Sequence, residues 1–324
     1  MTAGDATTRF GFVAVLGAPN AGKSTLVNML VGSKVSIVSR KVQTTRMRVR
    51  GVAVEDQSQI VFVDTPGIFA PKRKLDEAMV EAAWAGAADA DAIVVLVDAA
   101  ALVGEPAGLA AKDTDRIIEG LNAAKRTAIL ALNKIDGLRR DQLLPLAEQL
   151  NKKGKFSDVF MISARTGDGT PALLKHLAAA VPKGPWAYPA DQAADIPLRL
   201  LAAEITRERI YDRLHQELPY ASTVVTDQWT QKKDGSVRID QTIFVERESQ
   251  KPIVLGKNGA TIKLLGASAR QEIERILGHR VHLFLHVKVS DWSHDPAHYR
   301  EMGLDAPAGG ITGRLPAKPG HRRG

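Results

Sequence analysis

The chain of 324 residues contains no cysteine. Neither a disulfide nor a thiolate metal site can form, and a reducing compartment is expected. It also lacks any apolar run approaching the ~18 residues that a membrane-spanning helix requires. The opening stretch, Met1–Arg9, is polar and has no apolar core of the signal-peptide kind. These absences point to the cytoplasm. No internal repeat is present. Positive charge is in excess, with 44 Lys and Arg against 36 Asp and Glu, a net +8. The excess hints at a polyanionic partner. It is spread evenly, +4 in 1–181 and +4 in 182–324, so charge alone does not say which half meets an anion.

What is present divides the chain in two, as its length suggests. From residue 8 to 181 apolar strands alternate with amphipathic helices, the pattern of a doubly wound α/β sheet. The expected strands are Phe10–Leu16, Val49–Val54, Gln59–Asp64, Ala92–Asp98, Ala128–Asn133 and Val159–Ser163. Residues 182–197, PKGPWAYPADQAADIP, interrupt the pattern with prolines and small or acidic residues and read as a linker. A second unit over 198–290 reads helix (Leu198–Glu217), strand (Ser222–Gln231), strand (Val237–Arg247), short helix, helix (Ala260–Leu277) and strand (Arg280–Val289). This α-β-β-α-α-β order is that of an α+β type II KH domain. Residues 291–324 form an extension that is expected to be disordered after 303, where Gly and Pro dominate.

Four motifs carry chemistry. Residues 17–25, Gly-Ala-Pro-Asn-Ala-Gly-Lys-Ser-Thr, fit the phosphate-binding loop G-x-x-x-x-G-K-[ST] between a strand and a helix. Gly17, Ala18, Pro19, Asn20, Ala21, Gly22 and Thr25 would wrap a polyphosphate. Lys23 would reach its β- and γ-phosphates, and Ser24 would hold Mg²⁺. Asp64-Thr65-Pro66-Gly67 ends a strand. Its carboxylate can reach Mg²⁺, and the Gly67 N–H can approach the γ-phosphate. Asn133-Lys134-Ile135-Asp136 ends a later strand. An ionised carboxylate only accepts hydrogen bonds, so Asp136 suits the N1–H and 2-amino group of guanine. Lys134 can lay its methylene stem along the base. Ser163 and Ala164 can close over guanine O6 through backbone N–H groups.

Each motif alone is cheap, since Asn-Lys-x-Asp and Asp-Thr-Pro-Gly often make only solvated turns. In order, and each at a strand end, they resemble the translation-factor-like GTPases. Gln43-Thr44-Thr45-Arg46 then fits that group's first switch, whose threonine completes the Mg²⁺ shell. Thr45, directly before the arginine, is the better candidate than Thr44. The metal ligands are thus Ser24, Thr45 and Asp64, and the catalytic set is Lys23, Asn20, Thr45 and Gly67. After Gly67 stands Ile68, where many GTPases have a water-orienting glutamine. The resemblance is therefore to the subgroup with a hydrophobic residue there. In that subgroup an asparagine at the Asn20 position can coordinate K⁺ in place of an arginine finger. A loop-shaping asparagine is the alternative reading.

In the second unit Gly256-Lys257-Asn258-Gly259 joins two helices. G-x-x-G is common by chance, and Gly310–Gly313 fits as well. In a KH order, however, this loop grips a nucleic-acid backbone. Lys257 and Lys263 add charge. Ile253, Val254, Ile262 and Leu265 are expected to form the groove that carries bases. His279, His282 and His286 do not suggest a metal site, because positions four apart on a strand lie about 13 Å apart.

A phosphate loop with these motifs, followed by a KH unit, resembles the Era family of bacterial ribosome-assembly GTPases. The stretch 245–251, Val-Glu-Arg-Glu-Ser-Gln-Lys, the Gly256–Gly259 loop, Ala269-Arg270, Val281–Val289 and Trp292 are close to that family's pattern, and the match spans about 8–304. His286 departs from it, standing where the family often has tryptophan. The resemblance implies GTP hydrolysis with Mg²⁺ and binding to small-subunit ribosomal RNA near its 3′ end. It further implies a role in assembly of the 30S particle and peripheral contact with the inner membrane. The competing expectation is an RNA-binding scaffold with a non-hydrolysing nucleotide site. The intact Lys23, Ser24, Asp64 and Asp136 weigh against it.

Overall fold

The computed structural model describes residues 8–39, 41, 44–46, 49–190, 192–193, 196–214 and 218–294. Gln43 of the first-switch motif and the expected disorder after 303 lie outside them. The chain separates into two units, one of 1–36, 45–195 and 303–324, the other of 37–44 and 196–302.

The first unit is a six-stranded sheet flanked by helices. Its strands are β1 (Arg9–Leu16), β2 (Val49–Glu55), β3 (Ser58–Asp64), β4 (Ala92–Asp98), β5 (Ala128–Asn133) and β6 (Phe156–Met161). They lie in the order β2-β3-β1-β4-β5-β6. Only β2 runs antiparallel, paired to β3. Strands β3 and β5 are buried along their whole length. This is why they read as continuous rather than alternating apolar runs. Helices α1 (Lys23–Val31), α2 (Lys74–Asp89), α3 (Ala99–Gly104), α4 (Leu109–Ala123), α5 (Arg140–Lys153) and α6 (Thr170–Ala180) connect them. The main core joins Leu16 of β1, Val95 and Val97 of β4 and Leu130 of β5 to Ala83, Trp84 and Ala87 of α2 and Ile117 of α4. Because β1 has β3 on one side and β4 on the other, its C-terminal end opens at the point where strand order reverses. Open sheets of this kind bind ligands there.

Strand β6 begins and ends earlier than the apolar pattern suggests. It is an edge strand whose burial alternates, with Ser157 and Val159 exposed, so its run of hydrophobic residues is broken. Ile162 still bonds to Leu132 O, and Ser163 has already left the ladder. The stretch expected to be a linker runs hydrogen-bonded along this unit. Gln59, fully buried, accepts from the Ala187 and Tyr188 N–H groups and donates to Tyr188 O. Val52 donates to Ala193 O.

The second unit has helix α7 (Leu198–Arg213), strands β7 (Ser222–Gln231) and β8 (Val237–Val245), helices α8 (Lys251–Leu255) and α9 (Ala260–Leu277), and strand β9 (Val281–Val289). The sheet order is β7-β8-β9, with the first pair antiparallel and the second parallel. Ala203 and Ile210 of α7 and Leu265 of α9 pack on Val224, Ile243 and Val245 of the sheet. A second cluster joins Leu201 and Ile205 to Ala269, Ile273 and Val281. Strand β8 stops two residues short of the expected Arg247, whose N–H is taken by the Gln250 side chain as the chain turns. Helix α7 stops at Arg213, and 215–217 are outside the described residues. Val38, Lys41 and Thr44 bond to α7 and the residue that ends it. Val38 N–H donates to Glu208 Oε1 at 2.8 Å, Lys41 Nζ donates to Tyr211 O and Leu214 O, and the buried Arg207 guanidinium donates to Thr44 O.

Candidate functional site

The loop Gly17–Gly22 links β1 to α1 at the strand-order reversal. Its backbone is left-handed at Asn20 and Gly22, φ 62° and 98°. Asn20 is exposed, and asparagine tolerates that conformation better than most residues. Lys23 is folded back across the loop, its Nζ 3.1 Å from Gly17 O and 3.0 Å from Ala18 O. It is only 6% exposed, and burial lowers its pKa to about 8 against the opposing field of Asp64. A cation held this dry next to two neutral carbonyls is set to exchange them for phosphate oxygens.

Three hydroxyl and carboxylate groups meet beside it. Ser24 Oγ lies 2.8 Å from Thr45 Oγ1, and Thr45 Oγ1 lies 3.5 Å from Asp64 Oδ2. Asp64 is fully buried and its Oδ1 has no hydrogen-bond partner among the described residues. Burial pushes its carboxyl above the usual range, partly offset by Ser24 and other neighbours. Oxygen donors with an orphaned carboxylate oxygen fit a hard divalent cation such as Mg²⁺. The geometry also separates the two threonines. Thr44 Oγ1 bonds to Lys41 O at 2.7 Å, away from this cluster. Thr65 is tied down through its hydroxyl to Val15 O. Pro66 and Gly67 follow, and Gly67 lies hard against the loop, since a Cβ there would sit 3.0 Å from Pro19. Only glycine permits that approach. The Ile68 N–H donates to Gly17 O at 3.2 Å, while its side chain is buried in the main core. It cannot position a water.

At the base end, Asn133 stitches the site together. Its Nδ2 donates to Ala21 O at 2.7 Å and its Oδ1 accepts from Ala164 N at 2.9 Å. Lys134, left-handed at φ 65°, stretches to Asp98 at 2.5 Å. Ile135 begins a single 3₁₀ turn that carries Asp136. Asp136 Oδ1 accepts from Ser163 Oγ at 2.7 Å, and its other oxygen pairs with Arg165. The Ser163 bond chiefly holds Asp136 below the usual carboxylate range. The Ser163 N–H donates to Asp168 O and the Ala164 N–H to Asn133 Oδ1. Two residues escaped the sequence reading, Asp98 and Arg165. Asp98 closes an apolar strand and Arg165 directly follows Ser-Ala, the signals that could have found them.

In the second unit, Gly256, Asn258 and Gly259 all have positive φ, 71°, 53° and 74°. A side chain at Gly256 would collide with the Thr261 hydroxyl. The loop delivers the chain into the N-terminus of the 18-residue α9, whose free N–H groups favour an anion. Lys257 and Lys263 are exposed and Ile262 half-buried. The groove differs from expectation. Val254 and Leu265 are fully buried core residues, and the apolar surface beside the loop is instead Ile253, Ile262 and Leu264. Helix α8 has five residues, too few for the sequence to show which face it buries.

A family model described as a 50S ribosome-binding GTPase matches residues 12–134, and a KH domain model matches 217–293. GTPase Era of Afipia carboxidovorans is 60% identical over 301 residues, covering 93% of this chain and 96% of that protein. The chain belongs to the Era family of GTPases. GTPase Era of Caulobacter vibrioides is 57% identical over 313 residues, covering 94% and 99%. Among solved Era structures, one from Aquifex aeolicus bound to GDP·AlF4⁻ superposes with a TM-score of 0.85 at 38% identity, over 92% of this chain and 100% of that one. Another Era, in complex with MgGDPNP and nucleotides 1506–1542 of 16S ribosomal RNA, gives 0.84 at 38% identity over 92% and 99%. The fold is thus a P-loop GTPase domain with a mixed sheet, followed by a KH domain. No described helix is long and apolar enough to cross a membrane.

Proposed function

We propose that this Era-family GTPase is a GTP-hydrolysing switch that binds small-subunit ribosomal RNA near its 3′ end and acts in assembly of the 30S subunit. The observation that carries the reading is the pairing, in one chain, of a nucleotide site bearing all four motifs with a KH loop that has positive φ at three of its four positions. The relative bound to MgGDPNP and 16S ribosomal RNA supports it.

In this reading Asp136 accepts from guanine N1–H and the 2-amino group after Arg165 swings off its outer oxygen. Lys134, braced by Asp98, keeps its stem along the base. Lys23 leaves its two carbonyls for the β- and γ-phosphates and stabilises charge as the terminal phosphoryl group departs. Ser24, Thr45 and Asp64 would hold Mg²⁺, which would supply positive charge to offset that of the phosphate oxygens. Gly67 offers its N–H to the γ-phosphate. With Ile68 locked in the core, no side chain at that position orients the attacking water, so intrinsic turnover is slow. Asn20, exposed at the crest of the loop, is the candidate K⁺ ligand. The Gly256–Gly259 loop, α9 and the two lysines hold the RNA backbone while Ile253, Ile262 and Leu264 support bases. The reading carries a cytoplasmic location. Peripheral contact with the inner membrane, which the family resemblance implies, needs no spanning helix.

The test measures GTP turnover and binding to an RNA of the 16S 3′ end in the same preparation. Lys23→Ala is expected to abolish turnover and leave RNA binding intact. Absence of turnover in the unmodified protein would leave only a scaffold. Turnover in K⁺ against Na⁺ at equal ionic strength decides the ion, and equal rates would remove Asn20 from the catalytic set.

A further inference from the structure

The sheet of the second unit has one face against its helices and one face away from them. Val224, Ile243 and Val245, with Leu285 and Val287 of β9, pack on the helix side. Alternation along each strand sends their neighbours to the opposite face. There Arg238, Asp240 and Thr242 of β8 stand in register with His282, Phe284 and His286 of β9. Phe284 is 46% exposed, and Arg238 and His286 are exposed beside it.

Arg238 and Phe284 form a fixed stack. The guanidinium carbon of Arg238 lies over the Phe284 ring, 4.7 Å from its centroid. Its edge is gripped by Asp240, Nε to Oδ2 at 2.8 Å and Nη2 to Oδ1 at 3.0 Å. The Arg238 bond holds the Asp240 carboxyl below the usual carboxylate range, so the pair is ionised at neutral pH. A surface arginine ordinarily samples many rotamers. This one has its plane set by a ring on one side and a carboxylate at its edge, while the side chain remains 48% exposed.

A planar cation already lying on an aromatic ring is suited to a further flat ring, and unpaired RNA bases stack on arginine planes and aromatic side chains. Charge agrees with that occupant. Asp240 is the sole carboxylate of β8 and β9 and is buried. Arg238 and Lys288 are the exposed fixed charges of these strands on this face, and both are positive. Position agrees as well. Strand β9 is an edge of the sheet, and its inner residues pack with Val254 of α8 and Leu265 of α9, the helices that flank the Gly256–Gly259 loop. An RNA strand held at that loop has the edge of β9 to cross to reach the open face. We propose that Arg238, stacked on Phe284, is a platform for a base of single-stranded RNA, a second contact beyond the Gly256–Gly259 loop. The proposal rests on the RNA-binding reading given above.

The experiment measures affinity for two single-stranded RNAs by fluorescence anisotropy. One has about four nucleotides, the length a KH loop clamps, and the other about twelve. Arg238→Lys keeps the charge and loses the plane. It is expected to weaken the longer RNA about tenfold, the loss of one stacked base, and to leave the shorter one unchanged. Phe284→Ala should do the same, and Phe284→Tyr, which keeps the ring, should retain affinity. Equal weakening of both RNAs would mark a structural role, and no effect on either would leave the face to a protein partner; both results overturn the proposal. Gly256→Asp separates the loop from the platform. Normal binding of both RNAs by that variant, with the longer one still sensitive to Arg238→Lys, removes the loop reading and keeps the platform. If the variants at 238 and 284 do not fold, the longer RNA carrying 5-iodouridine is photocrosslinked to the unmodified protein. An adduct at Phe284 is expected, and adducts confined to α8 and α9 refute the platform.

Discussion

Nucleotide binding is expected to take up a proton at mildly alkaline pH, and Lys23 is the reason. In the free protein its ammonium is buried and its pKa is lowered to about 8. Beside a diphosphate the charged form is favoured, so the bound pKa rises well above that. Affinity then falls with rising pH, because the competent protonated fraction shrinks. With a free pKa of about 8, that fraction is about 0.9 at about pH 7 and about 0.24 at about pH 8.5. The affinity for GDP should drop about fourfold across the interval, with about 0.8 proton taken up per nucleotide at the upper end. GDP with EDTA is the right ligand, since Asp64 is then not asked to hold a metal, and the interval stops short of the ionisation of guanine N1–H. Calorimetry in buffers of different ionisation enthalpy reads the proton directly. Linkage also sets the sign for folding. A folded pKa below the unfolded 10.5 contributes stability that is present above 10.5 and is lost as pH falls through about 8. The nucleotide-free protein should therefore stabilise as pH rises through that window. A flat affinity with no buffer dependence would show that Lys23 keeps an ordinary pKa and that burial does not prime it.

Three further outcomes follow from the two sites. Asp136→Asn should weaken GTP at least tenfold, since hydrogen bonds to a charged acceptor contribute about 1.5–3 kcal/mol, and should gain xanthosine triphosphate; undiminished GTP affinity would show that guanine is read elsewhere. Gly256→Asp, which strains a φ of 71° and strikes Thr261, should lose single-stranded RNA affinity while GTP turnover persists, with circular dichroism confirming a folded chain. RNA should bind more tightly with a GTP analogue than with GDP, and by reciprocity RNA should tighten the analogue by the same factor, typically about 5–150-fold. The chain enters the second unit after Ser36 and returns to the first after Thr44; equal RNA affinities in both nucleotide states would make the units independent.

Residues whose role follows from type and spacing were legible in the sequence. Lys23, Ser24, Asp64 and Asp136 were assigned tasks that suit their side-chain chemistry, and each stands at or beyond the end of an apolar strand. Roles that depend on distant contacts were not legible. Asp98 supports Lys134 across two strands, and Arg165 covers Asp136 from a separate loop. The Ala164 N–H goes to Asn133, a link between the two motifs that neither shows by itself. Thr45 was favoured over Thr44 by its place before the arginine, and its hydroxyl lies beside Ser24 and Asp64 while that of Thr44 bonds to Lys41 O. In the KH unit the loop was visible as Gly-Lys-Asn-Gly, but α8 is too short for a periodicity, so Val254 was read into the groove when it is core; Leu265, on the inner face of α9, is core as well. Edge strand β6 and the end of β8 failed for a related reason. Half-exposed strand ends carry little apolar pattern, and a single side-chain cap such as Gln250 decides where pairing stops.

The fate of Ile68 bears on how such a site can work as a switch. Burying an isoleucine side chain contributes about 1.5–3 kcal/mol, and this one is fully buried beside Trp84 and Val97. Loss of the γ-phosphate removes one acceptor from Gly67, a change of similar size. Extracting Ile68 as well would roughly double the cost of moving the segment. The cheaper response keeps Ile68 in the core and releases what lies beyond it, where the Lys72 and Arg73 N–H groups bond to Asp76. A glutamine at position 68 would be solvated and free to follow the phosphate. Isoleucine gives up that catalytic reach and in return offers a pivot, so in the proposed switch the nucleotide state is expected to be expressed beyond Ile68 rather than at its side chain.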